Sequence, residues 1–175
     1  MTEERKPIAD PRYWHQRLMW AAATGRGTHT AIYDTDGTTW QKIQNETKVV
    51  LHKYLVSGMS LLDAGCGYGA VSSYVPEGVR YVGLDLSPDL LEVARIAYPQ
   101  AEFVLGNLAS LPQFTGHQFD FSLCRSIRRM VIDNQGEAAW DAIAAELLRV
   151  SRSVILVEYE DLPNYQMLLT SGKLL

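Results

Sequence analysis

Ten residues, LLDAGCGYGA from Leu61 to Ala70, limit the fold more than any other stretch of the chain. An apolar run ends in Asp63, and glycines then occupy every second position at Gly65, Gly67 and Gly69. Glycine is used repeatedly where backbone must take positive φ or come close to another group without a Cβ in the way. A loop of this kind at the end of a short strand and the start of a helix is the opening of a βαβ unit, in which the loop approaches a ligand.

The pattern of the remaining sequence agrees with that reading. Strands are expected at Ser60 to Ala64, Arg80 to Leu84, Glu102 to Leu105, Phe119 to Cys124 and Ser153 to Glu158. Between them lie a short helix ending at PEG, a helix capped by Ser87 and opened by Pro88, and a helix started by a box-like Asn134 to Glu137 pair. The strands are apolar throughout rather than alternating, as in a parallel sheet covered on both faces. The fold class is therefore α/β, doubly wound. Two helices precede it: Asp10 and Pro11 open the first, which Gly25 ends, and the second runs from Thr38 or Thr39 to Gly58 with Trp40, Ile43, Thr47, Val50, Leu51, Tyr54 and Leu55 on one face. The chain divides into N-terminal helices with a candidate lid (1–58), a core (59–160) and a tail (161–175), within a single domain.

Composition narrows the partners. The 175 residues carry a formal net charge of -4, which gives no basic footprint for a phosphate backbone, so nucleic acid is not an expected partner. Two cysteines, Cys66 and Cys124, are too few for a disulfide framework, and no Cys/His spacing suggests a metal site. The charged start MTEERKPIAD does not read as a secretory signal, and no run approaches the roughly 18 apolar residues of a membrane span, so a cytoplasmic protein is expected.

In doubly wound sheets ligands bind beyond the carboxyl ends of the strands, near the reversal of strand order. That rule selects Asp63 to Gly69, Asp85, Gly106 to Leu108, Cys124 to Arg128 and Glu158 to Glu160. Two ligands suit the glycine loop: a dinucleotide pyrophosphate, whose G-x-G-x-x-[GA] pattern Gly65, Gly67 and Ala70 satisfy, and the amino-acid part and ribose of a nucleoside-linked methionine. Asp63 opposes the first, because an acid there repels pyrophosphate and attracts a cationic amino group. Asp85, about 20 residues past the glycines, stands where an acid accepts both hydrogen bonds of a ribose diol and suits either ligand.

Taken in order, LLDAGCGYG, VGLDLSPDLLEVAR, AEFVLGNLASLPQF and FDFSLCRS resemble the class I S-adenosylmethionine-dependent methyltransferases, in particular the subgroup of ubiquinone and menaquinone biosynthesis methyltransferases. The resemblance spans roughly Leu55 to Glu160. It implies a Rossmann-like methyltransferase fold with a mostly parallel sheet of about five strands in the order 3-2-1-4-5, and S-adenosylmethionine as cofactor, with S-adenosylhomocysteine as product. It implies further that Asp63, Gly65, Cys66 and Gly67 surround the methionine part, that Asp85 binds the ribose and that Leu86 lies against adenine. Asn107 stands where the family often has an acid for the adenine amino group, with Leu108 as its apolar neighbour, and Cys124 ends the fourth strand beside the sulfonium. The family usually continues into an antiparallel hairpin of sixth and seventh strands. About 15 residues follow Glu160, so that hairpin is expected to be missing, with the fifth-strand edge covered by the tail or by a second copy in a homodimer.

For the acceptor, the residues after the fourth strand read Cys124, Arg125, Ser126, Ile127, which argues against the Asn/Asp-Pro-Pro-Tyr chemistry of amine and amide methylation. Leu123 before Cys124 argues against a cytosine nucleophile, so the cysteine reads as structural. The catalytic candidates are Arg125, as a clamp for an anionic acceptor, Glu158 and Tyr159 on the same rim, and His29 in a candidate lid from Gly25 to Asp36 with Arg26, Tyr33 and Asp34. Each has a plain alternative: a solvated helix face for Arg125, Arg128 and Arg129, ordinary rim residues for Glu158 and Tyr159, and an exposed side chain for His29. The leading expectation is methyl transfer to a small, anionic acceptor. The alternatives are an RNA or protein methyltransferase, or a protein that binds or cleaves S-adenosylmethionine without an acceptor.

Overall fold

A computed structural model describes residues 6–32, 37–157, 167–170 and 173–174. Five parallel strands form its centre: β1 (Ser60–Ala64), β2 (Arg80–Asp85), β3 (Glu102–Leu105), β4 (Phe119–Arg125) and β5 (Ser151–Val157). Their order is β3-β2-β1-β4-β5, as expected. Leaving β1, the chain builds outward first to one side through β2 and β3, then crosses to β4 on the other. The crevice between the carboxyl ends of β1 and β4 is therefore the point of reversal.

The sheet does not stop at β5. Two short strands, β6 (Met167–Thr170) and β7 (Lys173–Leu174), extend it in antiparallel fashion, with Ile155 opposite Leu168 and Thr170 opposite Lys173. The expectation of a missing hairpin is corrected: strands of four and two residues fit into the short tail. Pairing with β6 supplies the backbone partners that β5 would lack as an edge. The tail thus covers the β5 edge, one of the two arrangements expected from the sequence.

Both faces of the strands are buried because neighbouring side chains point to opposite sides. Leu61 and Leu62 illustrate this, each wholly buried in a different cluster. On one face Leu62, Val82, Leu84 and Phe119 pack with Leu111, Phe114, Trp14 and helix α6 (Glu137–Val150), which supplies Trp140, Ile143 and Leu147. On the other, Leu61, Leu123 and Ile155 meet Val50 and Leu51 of helix α3 (Gly37–Tyr54) and Leu55 just past its end. Helix α4 (Pro88–Ala97) starts as its sequence dictates, with Ser87 Oγ accepting from the Leu90 amide at 3.3 Å.

Three local readings change. Helix α1 (Pro11–Ala23) is capped by Asp10 as expected, but the stretch after it contains a one-turn helix α2 (His29–Ile32). The short helix expected before PEG is a five-residue 3-10 helix, Ala70–Tyr74. A separate helix α5 (Arg128–Gln135) precedes α6, and Gly136, at φ 91°, divides them. Asn134 thus lies inside α5, donating to the Met130 carbonyl at 2.8 Å, and forms no capping box with Glu137.

Candidate active site

Each glycine of the loop after β1 takes positive φ, at 76° for Gly65, 56° for Gly67 and 80° for Gly69. The sequence suggests exposed amides here, yet much of the loop's hydrogen bonding turns inward. The amides of Gly65 and Cys66 donate to the Leu84 carbonyl at 2.8 and 2.9 Å, and that of Gly67 donates to Asp85 Oδ2 at 2.8 Å. The loop is thereby tied to the end of β2. Its outer side is closely approached: a Cβ at Gly65 would stand 1.9 Å from Ile127 Cδ1, and one at Gly67 would stand 2.3 Å from Ile32 Cδ1. Both the positive φ and the lack of space require glycine.

A cavity of about 260 Å³ opens beside this loop. Gly65, Cys66 and Gly67 line one end, Asp85 and Leu86 follow, and Asn107 and Leu108 come from the segment after β3. Ile8 and Trp14 line it from the N-terminal side, where Trp14 Nε1 donates to the Ile8 carbonyl at 2.9 Å and the Lys6 amide donates to Asn134 Oδ1 of α5. Trp14, near the start of α1, thus serves both the cavity wall and the core.

Asp85 is almost fully buried, and its carboxylate accepts from the amides of Gly67 and, at 2.9 Å, Ser87. Burial raises its pKa, opposed by these amide bonds and that of Leu86. Asn107 Oδ1 accepts from the Ala109 amide at 3.0 Å. That bond fixes which way the side-chain amide faces, because only the oxygen can accept from an N–H.

Asp63 and Cys124 are not brought into the cavity wall. Asp63 is 2% exposed beneath the loop, accepting from the Tyr81 hydroxyl at 2.8 Å. Burial pushes its pKa up to about 6, against the opposing effects of the Arg125 charge and the Tyr81 bond, with Asp85 adding to the rise. Tyr81 is a partner that sequence reading missed. Cys66 does line the cavity, and its thiol is held neutral by burial and by the nearby Asp63 and Asp85. Cys124 is fully buried among core side chains, in keeping with a structural role.

Arg125 reaches the cavity but is no freestanding clamp. Its Nη1 donates to Tyr74 Oη at 2.9 Å and Gln44 Oε1 at 3.0 Å, and its guanidinium lies 5.5 Å from the Trp40 ring centre. It braces β4 against α3 and the 3-10 turn, through partners that only the folded chain assembles. Arg128 and Arg129 do not line the cavity; they open α5, where Arg129 pairs with Asp133 at 2.9 Å. His29 is stacked on Trp40, with ring centres 5.5 Å apart and planes 8° from parallel, and is absent from the cavity wall. Of the remaining candidates, Glu158, Tyr159, Tyr33 and Asp34 lie outside the described residues.

One residue of the selected stretch Cys124 to Arg128 was given no role from the sequence. Ser126, directly after β4, lines the cavity with φ 56°, and its buried Oγ has no hydrogen-bond partner.

Comparison with known proteins adds to this geometry. A family model described as "Methyltransferase domain" matches residues 62–153. The malonyl-[acyl-carrier protein] O-methyltransferase of Serratia marcescens is 43% identical over 56 residues, which are 31% of this chain and 22% of that protein. An uncharacterized methyltransferase of a Synechocystis species is 42% identical over 64 residues, 36% of this chain and 30% of the relative. Among solved structures, a SAM-dependent methyltransferase of Methanosarcina mazei superposes with TM-score 0.54 at 25% identity, covering 61% of this chain and 55% of its own. A protein of Pyrococcus horikoshii gives TM-score 0.60 at 21% identity over 74% of this chain and 65% of that one, a likeness of fold alone. The matched stretches span less than a third of the curated relatives.

Proposed function

The chain belongs to the methyltransferase-domain family, and on that premise we propose that it transfers a methyl group from S-adenosylmethionine to a small-molecule acceptor. The observation that carries the reading is the cavity at the strand reversal, where a glycine loop, a buried acid at the end of β2 and apolar side chains after β2 and β3 converge. These residues fit the cofactor. The glycine loop would take its amino-acid part, Asp85 its ribose hydroxyls, and Leu86 and Leu108 the faces of its base. The order of motifs supports a position near the quinone-biosynthesis methyltransferases.

When bound, S-adenosylmethionine supplies an electrophilic methyl group for a single in-line displacement. The protein's contribution is then alignment and exclusion of water rather than a fixed acid or base. Ile8 and Trp14 at the cavity wall shield the site on the N-terminal side, which favours a small acceptor over a macromolecule. Since Arg125 is engaged with Tyr74 and Gln44, an anionic acceptor has lost its main support. Calorimetric titration tests the reading: S-adenosylmethionine and S-adenosylhomocysteine should bind and NAD should not. Heat with NAD alone would overturn it.

Two expectations follow at named residues. An acid at position 107 would offer one oxygen to the Ala109 amide and a second to the adenine amino group; asparagine has only the first and adds a donor. Asn107→Asp should therefore bind S-adenosylhomocysteine about fivefold tighter by calorimetry, an effect reduced from that of a buried charged bond by exposure. Equal or weaker binding would remove adenine from this position.

The second concerns pH. Asp63, facing Tyr81 and Asp85 of β2 and Arg125 of β4, keeps its proton up to about pH 6. A cationic amino group at the loop favours the ionised carboxylate, so ligand binding expels that proton below pH 6. Affinity for S-adenosylhomocysteine should be level above pH 7 and fall as pH drops through 6, by at most about tenfold per unit. Asp63→Asn should flatten the profile between pH 5 and 7.5; an unchanged profile would free Asp63 of any part in binding.

A further inference from the structure

The Ser126 hydroxyl stands out because nothing in the described protein uses it. Its Oγ is shielded from solvent without a hydrogen-bond partner, the only such side-chain atom among the described residues. Buried polar groups left unpaired are destabilising and uncommon in native proteins, so each calls for a reason. The backbone adds a second anomaly. Ser126 sits at φ 56°, a left-handed conformation that glycine adopts freely and serine seldom does. Its amide holds it there by donating to the Val157 carbonyl at 2.7 Å. Two unfavourable features at one residue beside a cavity are the pattern expected of a binding site formed at the expense of stability.

The position indicates what the hydroxyl serves. Cys124, two residues earlier, pairs with Ala64 at the end of β1, so Ser126 lies across the crevice from the glycine loop. Ile127, its neighbour, is the residue whose Cδ1 covers Gly65. Asp85, at the ribose end, belongs to β2 on the far side of β1. Rotation about χ1 between staggered positions moves a serine oxygen at small energetic expense.

We propose that Ser126 is a ligand-binding residue whose hydroxyl donates a hydrogen bond to the carboxylate of the cofactor's amino-acid part. The proposal rests on the methyl-donor reading above, and two probes separate them. S-adenosylhomocysteine carries the amino-acid part, whereas 5′-methylthioadenosine has the same nucleoside and thioether without it. Both are titrated calorimetrically into the wild-type protein, Ser126→Ala and Ser126→Gly, and the melting temperature of each unliganded protein is recorded.

Both variants should bind S-adenosylhomocysteine about tenfold more weakly, as for loss of a hydrogen bond to a charged group, and bind 5′-methylthioadenosine as the wild type does. Ser126→Ala should melt no lower than the wild type, because it removes an unpaired buried hydroxyl; the glycine variant also relieves the left-handed strain. Unchanged affinity for S-adenosylhomocysteine in both variants, or an equal loss for both ligands, overturns the proposal. Failure of the wild type to bind either ligand overturns the methyl-donor reading and this assignment with it.

Discussion

Asp85→Ala is expected to weaken S-adenosylhomocysteine binding by at least about a hundredfold. Two hydrogen bonds from a ribose diol to a charged acceptor contribute about 1.5 kcal/mol each at the low end, and about 3 kcal/mol corresponds to that factor. The carboxylate also organises the site, since it joins the Gly67 amide of the loop to the Ser87 amide that begins α4. Its removal frees both. Asp85→Asn keeps a single oxygen and should bind more weakly than the wild type but more tightly than the alanine variant. Calorimetry measures the affinities, and thermal melting in the absence of ligand separates loss of binding from loss of fold. Wild-type affinity in Asp85→Ala would remove the ribose from this residue.

The largest expected loss of stability is at Leu62→Ala. Leu62 is fully buried in the central strand, paired with Val82 on one side and Ser122 on the other, and belongs to the cluster that joins the sheet to α6. Truncation there leaves a void between two layers that cannot close independently. The cost is about 3 kcal/mol, which for a chain of this size lowers the melting temperature by roughly 10 °C. Val49→Ala, at a position 65% exposed on α3, serves as the comparison and should change stability by less than about 0.5 kcal/mol. Saturating S-adenosylhomocysteine should restore part of the loss by mass action. A fall of under about 3 °C at Leu62 would contradict the burial of β1 described above.

The features that depend on neighbours along the chain were legible in advance. Apolar runs separated by glycine, proline and capping serines revealed the five central strands, and residue types at strand ends pointed to Asp85 and the glycine loop, while Leu86 came from the family resemblance. Features that depend on residues distant in sequence were not. Asp63 meets Tyr81 from the adjacent strand, and Arg125 is held by Gln44, 81 positions earlier. Neither spacing leaves a mark in a local pattern. Strands of four and two residues are too short for an alternation to emerge, so β6 and β7 escaped notice. At Gly136 the signal was present but given the wrong weight: a glycine at positive φ both ended α5 and started α6, while the Asn134 to Glu137 spacing suggested a cap instead. Ser126 offered nothing to read, since serine does not signal a left-handed backbone as glycine does.

The central claim is that the carboxyl edge of this parallel sheet holds S-adenosylmethionine. A crystal structure of the protein with S-adenosylhomocysteine tests it most directly. The account predicts the ribose hydroxyls on the Asp85 carboxylate, the amino-acid part over Gly65 to Gly67, and the base between Leu86 and Leu108. A ligand bound elsewhere, or bound here with its ribose turned away from Asp85, would contradict it.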